Sequence, residues 1–214
     1  TFSNFEQVEE GGINGRLFVP DGTKDDYQSA AGWNWFYFIE EGTIADYAQK
    51  IINFADESTK NACVAAFDTD NDGYLTTDEA AAVTSIGTIF QGAEIGSFDE
   101  FKYFTAVTAI DDNAFNGSTI TKITLPDGVK SIGENAFAFC NSLTTFFVPA
   151  TIDYIGNGAF KSCAKLTTIT VDEQNTNYMS SIGTLFTKDR SILIQYPAKN
   201  SYKSVAFPED VLTV

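Results

Sequence analysis

Histidine is absent from the 214 residues of this chain. That excludes Ser-His-Asp and Cys-His catalysis and removes the commonest zinc ligand. Basic residues are scarce: 13 Lys and Arg stand against 29 Asp and Glu, a net charge of −16. A surface this acidic repels phosphate backbones and anionic lipid headgroups, so no nucleic-acid partner is expected, and cation binding or secretion suits it better. No apolar run approaches the roughly 20 residues that span a bilayer. The chain opens at Thr1 without an initiator methionine. The expectation is a mature or trimmed fragment, with any export signal or lipid anchor outside it. Hydrophobic residues at 43% and charged residues at 20% are ordinary for a folded protein, and the length allows one large or two small domains.

Cysteine is limited to Cys63, Cys140 and Cys163. Cys140 and Cys163 each follow an Ala-Phe pair by three residues. Two readings stand: a stacked pair of small buried hydrophobes, or a disulfide between repeats. Adjacent strands lie about 4.8 Å apart with parallel side-chain vectors, which suits the bond badly, so buried free thiols are expected.

What the chain has is a repeat. Ala-Phe pairs start at 114, 136 and 159, steps of 22 and 23 residues. Around them run Ser131-Ile132-Gly133-Glu134-Asn135-Ala136-Phe137 and Tyr154-Ile155-Gly156-Asn157-Gly158-Ala159-Phe160. Each is followed by a short alternating strand. A step of 20–29 residues with leucine-like positions at constant offsets marks a leucine-rich repeat solenoid, whose coils bury their apolar faces only by stacking. Ile120, Ile123, Leu125, Leu143, Phe146, Val148, Leu166, Ile169 and Val171 are expected to point inward. Thr144, Thr145, Phe147, Thr167, Thr168 and Thr170 are then the outer, candidate ligand-binding face. A merely structural face is the alternative, since threonine favours strands. Ser181–Phe186 and Ser191–Tyr196 flank Lys188-Asp189-Arg190 as a hairpin in an enlarged coil. Phe207–Val214 repeats the pattern of Leu125–Ile132, as if a further coil began there.

Ahead of the repeats lies an acidic loop. Asp68-Thr69-Asp70-Asn71-Asp72-Gly73-Tyr74-Leu75-Thr76-Thr77-Asp78-Glu79 fills the twelve-residue EF-hand template. Asp68, Asp70 and Asp72 offer carboxylates at positions 1, 3 and 5. Gly73 permits the sharp turn, Tyr74 offers its carbonyl, Thr76 reaches through water and Glu79 chelates with both oxygens. Hard oxygens at this spacing suit calcium, which is the expected cofactor; an acidic turn without metal is the alternative. A helix is expected over about 44–55, and a second, capped by Asp56 or Ser58, running to Phe67. With Ile95 set opposite Leu75, residues 88–99 read as a degenerate second loop, Thr88, Phe90 and Gly92 replacing its ligands. Ser97-x-x-Glu100 would cap its exit helix.

Residues 1–42 carry one readable segment, Trp33–Ile39, aromatic on both faces as a covered strand would be. The organisation is thus residues 1–42 unassigned, 43–105 a helical EF-hand-like module and 106–214 the repeat solenoid, an α+β chain. The module is expected to cap the first coil.

The Ser-Ile-Gly-x-x-Ala-Phe-x-x-Cys-x-x-Leu-Thr-x-x-x-Val-Pro units, clearest at 131–149 and 154–171, resemble those of BspA-like leucine-rich repeat surface proteins of host-associated anaerobic bacteria. Cys63–Phe115 resembles the acidic EF-like module that precedes the repeats in some members. Ser118 replaces the usual cysteine of the first coil. The resemblance implies export, then secretion or display at the cell surface, with a lipid anchor in the outer membrane as one form of attachment. It implies binding to host extracellular or cell-surface proteins or glycans. An architectural spacer is the first alternative. A carboxylate glycosidase using Glu9-Glu10, Asp25-Asp26 or Glu40-Glu41 is the second and weaker, because adjacent acids in polar stretches do not straddle a substrate. No catalytic residue is assigned.

Overall fold

Residues 16–29 and 38–201 are described by the structure, a computed structural model of the chain. The N-terminal part holds strand β1 (Arg16–Val19), helix α1 (Lys24–Ser29), strand β2 (Phe38–Glu41) and helices α2 (Ile44–Lys50), α3 (Glu57–Phe67) and α4 (Thr77–Ala82). β1 and β2 pair in parallel. Trp33–Tyr37, Glu9-Glu10 and Phe207–Val214 lie outside the described residues.

Both longer helices have clear starts. Thr43 and Asp46 form a capping box at α2, and the Asp56 carboxylate accepts from the Thr59 N–H at the start of α3. α2 stops at Lys50 rather than running to residue 55. Ile51 takes extended backbone angles, bridges Thr76, and the Ile52 N–H donates to the Leu75 carbonyl at 2.9 Å. The acidic loop thus borrows its partner strand from residues 51–52, not from Ile95.

The repeats follow as β3 (Ser97–Phe98), a 3-10 turn over Asp99–Tyr103, β4 (Ala109–Ile110), β5 (Lys122–Ile123), β6 (Ser131–Ile132), β7 (Thr145–Val148), β8 (Tyr154–Ile155) and β9 (Thr168–Val171). All their ladders are parallel: β3 with β5 and β7 with β9 in one set, β4 with β6 and β6 with β8 in another. The register is one coil per step, with Thr145 opposite Thr168 and Ile132 opposite Ile155. Within β7 the pattern alternates: Thr145 and Phe147 are exposed, Phe146 and Val148 buried. Of the expected inward residues all are buried except Val171, which is partly buried against the same core.

Stacking dictates composition inside the coils. The rings of Phe115, Phe137 and Phe160 lie in file, centroids 5.0 and 5.7 Å apart and planes within 6°. Glycine is required where one coil touches the next. A Cβ on Gly156 would lie 2.6 Å from the Glu134 backbone nitrogen. Cys140 and Cys163 stack as free thiols, not a disulfide, each donating to the carbonyl of Phe115 or Phe137 at 3.0 Å.

The file begins one coil earlier than the Ala-Phe count suggests. Phe90 stacks on Phe115, and β3 pairs with β5. Residues 84–105 are thus a coil, not a degenerate metal loop. Ser97 lies in a strand, the turn after Phe98 has no side-chain cap, and the Ser97–Glu100 box is not formed. Glu100 is instead buried, its Oε1 accepting from the Ala55 N–H at 3.0 Å. One core cluster runs from Ile52 through Phe98 and Phe104 to Leu185. Residues 105 and 106, the expected boundary, lie within its span.

After β9 come β10 (Tyr178–Ser181), β11 (Thr184–Thr187) and β12 (Leu193–Gln195), an antiparallel sheet in that order. The expected hairpin over Lys188–Arg190 joins β11 to β12, and β10 is an additional strand. Buried Asn175 holds this sheet to the previous coil. Its Nδ2 donates to the carbonyls of Pro149 and Ile152, and its Oδ1 accepts from the N–H groups of Asn177 and Tyr178.

Candidate functional sites: the acidic loop and the outer threonine face

The loop between α3 and α4 is built by its own carboxylates. Asp68 accepts from the N–H groups of Asn71 at 2.7 Å and Gly73 at 2.9 Å. Gly73 sits at φ +86°, a left-handed conformation open to glycine without penalty. Glu79 closes the loop. Its Oε1 accepts from the Thr69 N–H and hydroxyl at 2.9 and 3.0 Å, and its Oε2 from those of Thr76, both at 2.9 Å. Thr76 is therefore the cap of α4, with its hydroxyl donating to Glu79. Tyr74 is exposed, and its neighbour Leu75 is buried beside Ile52.

One carboxylate oxygen each from Asp68, Asp70 and Glu79 lie within 4.8 Å of one another. Oxygens that share a calcium ion, each about 2.3–2.6 Å from it, lie at most about 5 Å apart, so these three fit. Asp72 is placed otherwise. It is 1% exposed, and its Oδ2 accepts from the Arg16 Nε at 3.1 Å and from the Tyr47 hydroxyl. Arg16 also pairs with Asp70, and with Glu40 at 3.0 Å. Burial, then the bond to Asp72, pushes the Tyr47 hydroxyl well above the usual phenol range, keeping it a donor. Asp78 points away and pairs with Lys50 at 2.8 Å.

The outer face forms where β7 lies beside β9. Thr145 and Phe147 project from β7, Thr168 and Thr170 from β9, in register. Thr144 and Thr167 precede the strands and are exposed. Two of the hydroxyls are spent within the stack: Thr167 Oγ1 donates to the Thr144 carbonyl at 2.8 Å and Thr170 Oγ1 to that of Phe146 at 3.5 Å. Phe147, 52% exposed, is the large apolar group on this face. At the neighbouring coil Asp99 accepts from Lys122 Nζ at 2.6 Å and Thr124 Oγ1 at 2.7 Å.

A family model described as the BspA type leucine rich repeat region matches residues 83–210, in six copies. The chain belongs to this family. The match starts close to the coil that carries Phe90, ahead of the repeats counted from Ala-Phe pairs. Among solved structures, the BspA-type chain is similar to the pneumococcal vaccine antigen PcpA, at 23% identity and TM-score 0.51, over 61% of this chain and 38% of that one. It is also similar to a leucine rich cell surface protein from Faecalibacterium prausnitzii A2-165, at 31% identity and TM-score 0.41, over 50% and 27%. A leucine-rich repeat protein from Eubacterium ventriosum ATCC 27560 matches at 24% identity and TM-score 0.40, over 50% and 34%. The chain therefore spans well under half the length of each. No curated protein matches it.

Sequence reasoning missed that Arg16 and Tyr47 hold Asp72, and that Glu40 holds Arg16. Arg16 and Lys24 are the only basic residues in the first 42, a scarcity that singles out Arg16 but does not point to residue 72. Phe90 was missed because its coil has Ser85-Ile86-Gly87 but lacks the alanine before phenylalanine.

Proposed function

We propose that this protein is an interaction protein of the cell surface, or a secreted one, that binds through the outer face of its coil stack. The partner class is a host extracellular or cell-surface protein, or a glycan. The observation that carries this reading is Phe147, a half-exposed aromatic ring set among threonines on a rigid parallel ladder. An aromatic on a rigid element is a contact group with little ordering cost. A non-enzymatic role is part of the proposal. It is supported by membership of the BspA-type repeat family. Display through an anchor, lipid or otherwise, is proposed from family membership alone.

We further propose that the loop binds calcium through Asp68, Asp70 and Glu79, with the Tyr74 carbonyl and a water on Thr76 completing the EF-hand-like set. Bound calcium would neutralise the loop's carboxylates and stiffen the module beside the first coil. Asp72 belongs to this set by its place in the motif, although Arg16 holds it.

A screen against extracellular-matrix proteins and glycans tests the binding face. Phe147→Asp is expected to abolish any binding found while leaving the melting temperature within a few degrees. Undiminished binding by that variant moves the contact elsewhere. An absence of ligands in the screen favours the spacer reading, which the bonds of the Thr167 and Thr170 hydroxyls to the neighbouring coil also suit.

A further inference from the structure

The acidic loop already holds a cation. Arg16, the first residue of β1, is 3% exposed, and its guanidinium is surrounded by three carboxylates. Asp70 and Asp72 come from the loop, Glu40 from β2. Its carbon lies 4.3 Å from the centre of the Tyr47 ring, a cation–π contact, while the Tyr47 hydroxyl donates to Asp72. Asp72 is thus held at Oδ2 by Arg16 and Tyr47, and at Oδ1 by the Tyr74 N–H at 2.8 Å. Asp70 belongs to both arrangements: it converges with Asp68 and Glu79, and it pairs with Arg16.

Calcium takes six to eight oxygens. Asp68, Asp70, both oxygens of Glu79, the Tyr74 carbonyl and one water supply only the minimum of about six, so a full shell of seven or eight draws on Asp72, and Asp70 must in any case turn to the ion from Arg16. A divalent cation and a guanidinium on the same two carboxylates repel each other at close range in a partly buried site. The planar fork of arginine also matches carboxylates in a way that an ammonium does not. We propose that Arg16 is an internal counter-cation of the loop which calcium must displace, so that metal binding loosens the hold of β1 on the loop. The inference rests on the calcium reading above and adds an antagonist to it. The metal-free protein is latched shut by its own N-terminal strand, and affinity for calcium is set partly by how firmly Glu40 and Tyr47 retain Arg16.

Calorimetric titration with calcium of the wild-type chain, Arg16→Gln and Arg16→Lys tests it. Arg16→Gln is expected to bind about tenfold or more tightly. Arg16→Lys keeps the charge but loses the fork, and is expected to bind about threefold or more tightly; an unchanged affinity, the mark of a general field effect, overturns the latch even if Arg16→Gln binds more tightly. Wild-type-like or weaker binding by both variants overturns the latch and leaves the calcium site standing. No binding by any of the three overturns the site and the latch together. A second readout needs no variant: phenylglyoxal labelling of the wild-type protein, followed by peptide mass spectrometry. Arg16 and Arg190 are its two arginines, and exposed Arg190 is the reference. Arg16 is expected to be protected in chelator and labelled in calcium. Equal labelling in both, with calcium bound by calorimetry, overturns the latch.

Discussion

The ring of Phe90 lies parallel to that of Phe115, centroids 5.3 Å apart and planes 3° apart. Phe90 also meets Phe98 edge-on at 5.2 Å, and Phe98 reaches Phe101 and Phe104. Through these rings the phenylalanine file of the coils runs without interruption into the aromatic cluster against which α3 packs Phe67. The coil stack and the loop-bearing helices are therefore joined by apolar packing rather than by a linker.

Truncating Phe90 tests that join. Phe90 is fully buried, and removing such a ring typically costs about 3–5 kcal/mol. Phe90→Ala is expected to lower the urea midpoint accordingly, in one cooperative transition. A loss under about 1 kcal/mol, or separate transitions for helices and coils, argues that the two parts do not share a core.

The three thiols are expected to be inert in the folded protein. Burial pushes Cys140 up to about 11 and Cys163 up to about 12, and drives Cys63 upward as well. At pH 8 almost no thiolate is present to attack a disulfide reagent. Native protein should release no thionitrobenzoate from Ellman's reagent over an hour, and denatured protein three equivalents. Mass spectrometry without reductant should show no loss of two hydrogens.

Asp56 carries a pH dependence. The Thr59 hydroxyl and N–H, with the Gly96 N–H at 3.1 Å, hold its carboxyl below the ordinary value of 3.8 despite partial burial. The unfolded chain therefore takes up the proton first. The stabilisation is full above the ordinary value and is lost as pH falls through the lower, folded one. Asp56→Asn should melt lower than wild type at pH 7, and the gap should narrow below about pH 4. Asparagine caps a helix about as well as aspartate, so what the variant removes is the carboxylate charge that Thr59 and Gly96 hold. A gap that stays constant into acid removes the carboxylate from the account.

Calcium should stabilise the protein by linkage. At ten times its dissociation constant the gain is about 1.4 kcal/mol, and extracellular loops of this kind bind at about 10⁻⁴–10⁻³ M. Melting in millimolar calcium and in chelator should differ by a few degrees. Equal melting temperatures, with no heat of binding, retire the site. Glu79→Gln, which weakens the closing bonds to Thr69 and Thr76 as well as the chelation, should abolish the calcium increment.

Much of this was legible along the chain. Alternation in Thr145–Val148 predicted which residues face the core, because a strand has two faces and only one can be dry. The spacing of Ala-Phe pairs predicted the file of rings, and Asp56 announced the helix it caps. Other features were misread for a common reason. Ser97-x-x-Glu100 has the spacing of a helix cap, yet pairing of Ser97 with Lys122 claims that backbone for a strand. Ile51 continues a helical period, yet the loop's need for a partner strand takes it. In both cases a contact from a distant segment outweighed a local preference worth at most about 1 kcal/mol.

What the sequence by itself determined is therefore the repeat: its step, its inward residues, its glycine and cysteine ladders and its family. These follow from short-range periodicity, since each coil meets only its neighbours. The tertiary structure alone decided where the stack begins, what lies opposite the acidic loop, and that Arg16 reaches Asp72 across 56 residues of chain. No periodic pattern records such a pairing, because the electrostatic attraction between a guanidinium and a carboxylate depends on distance in space and carries no signature of separation in sequence.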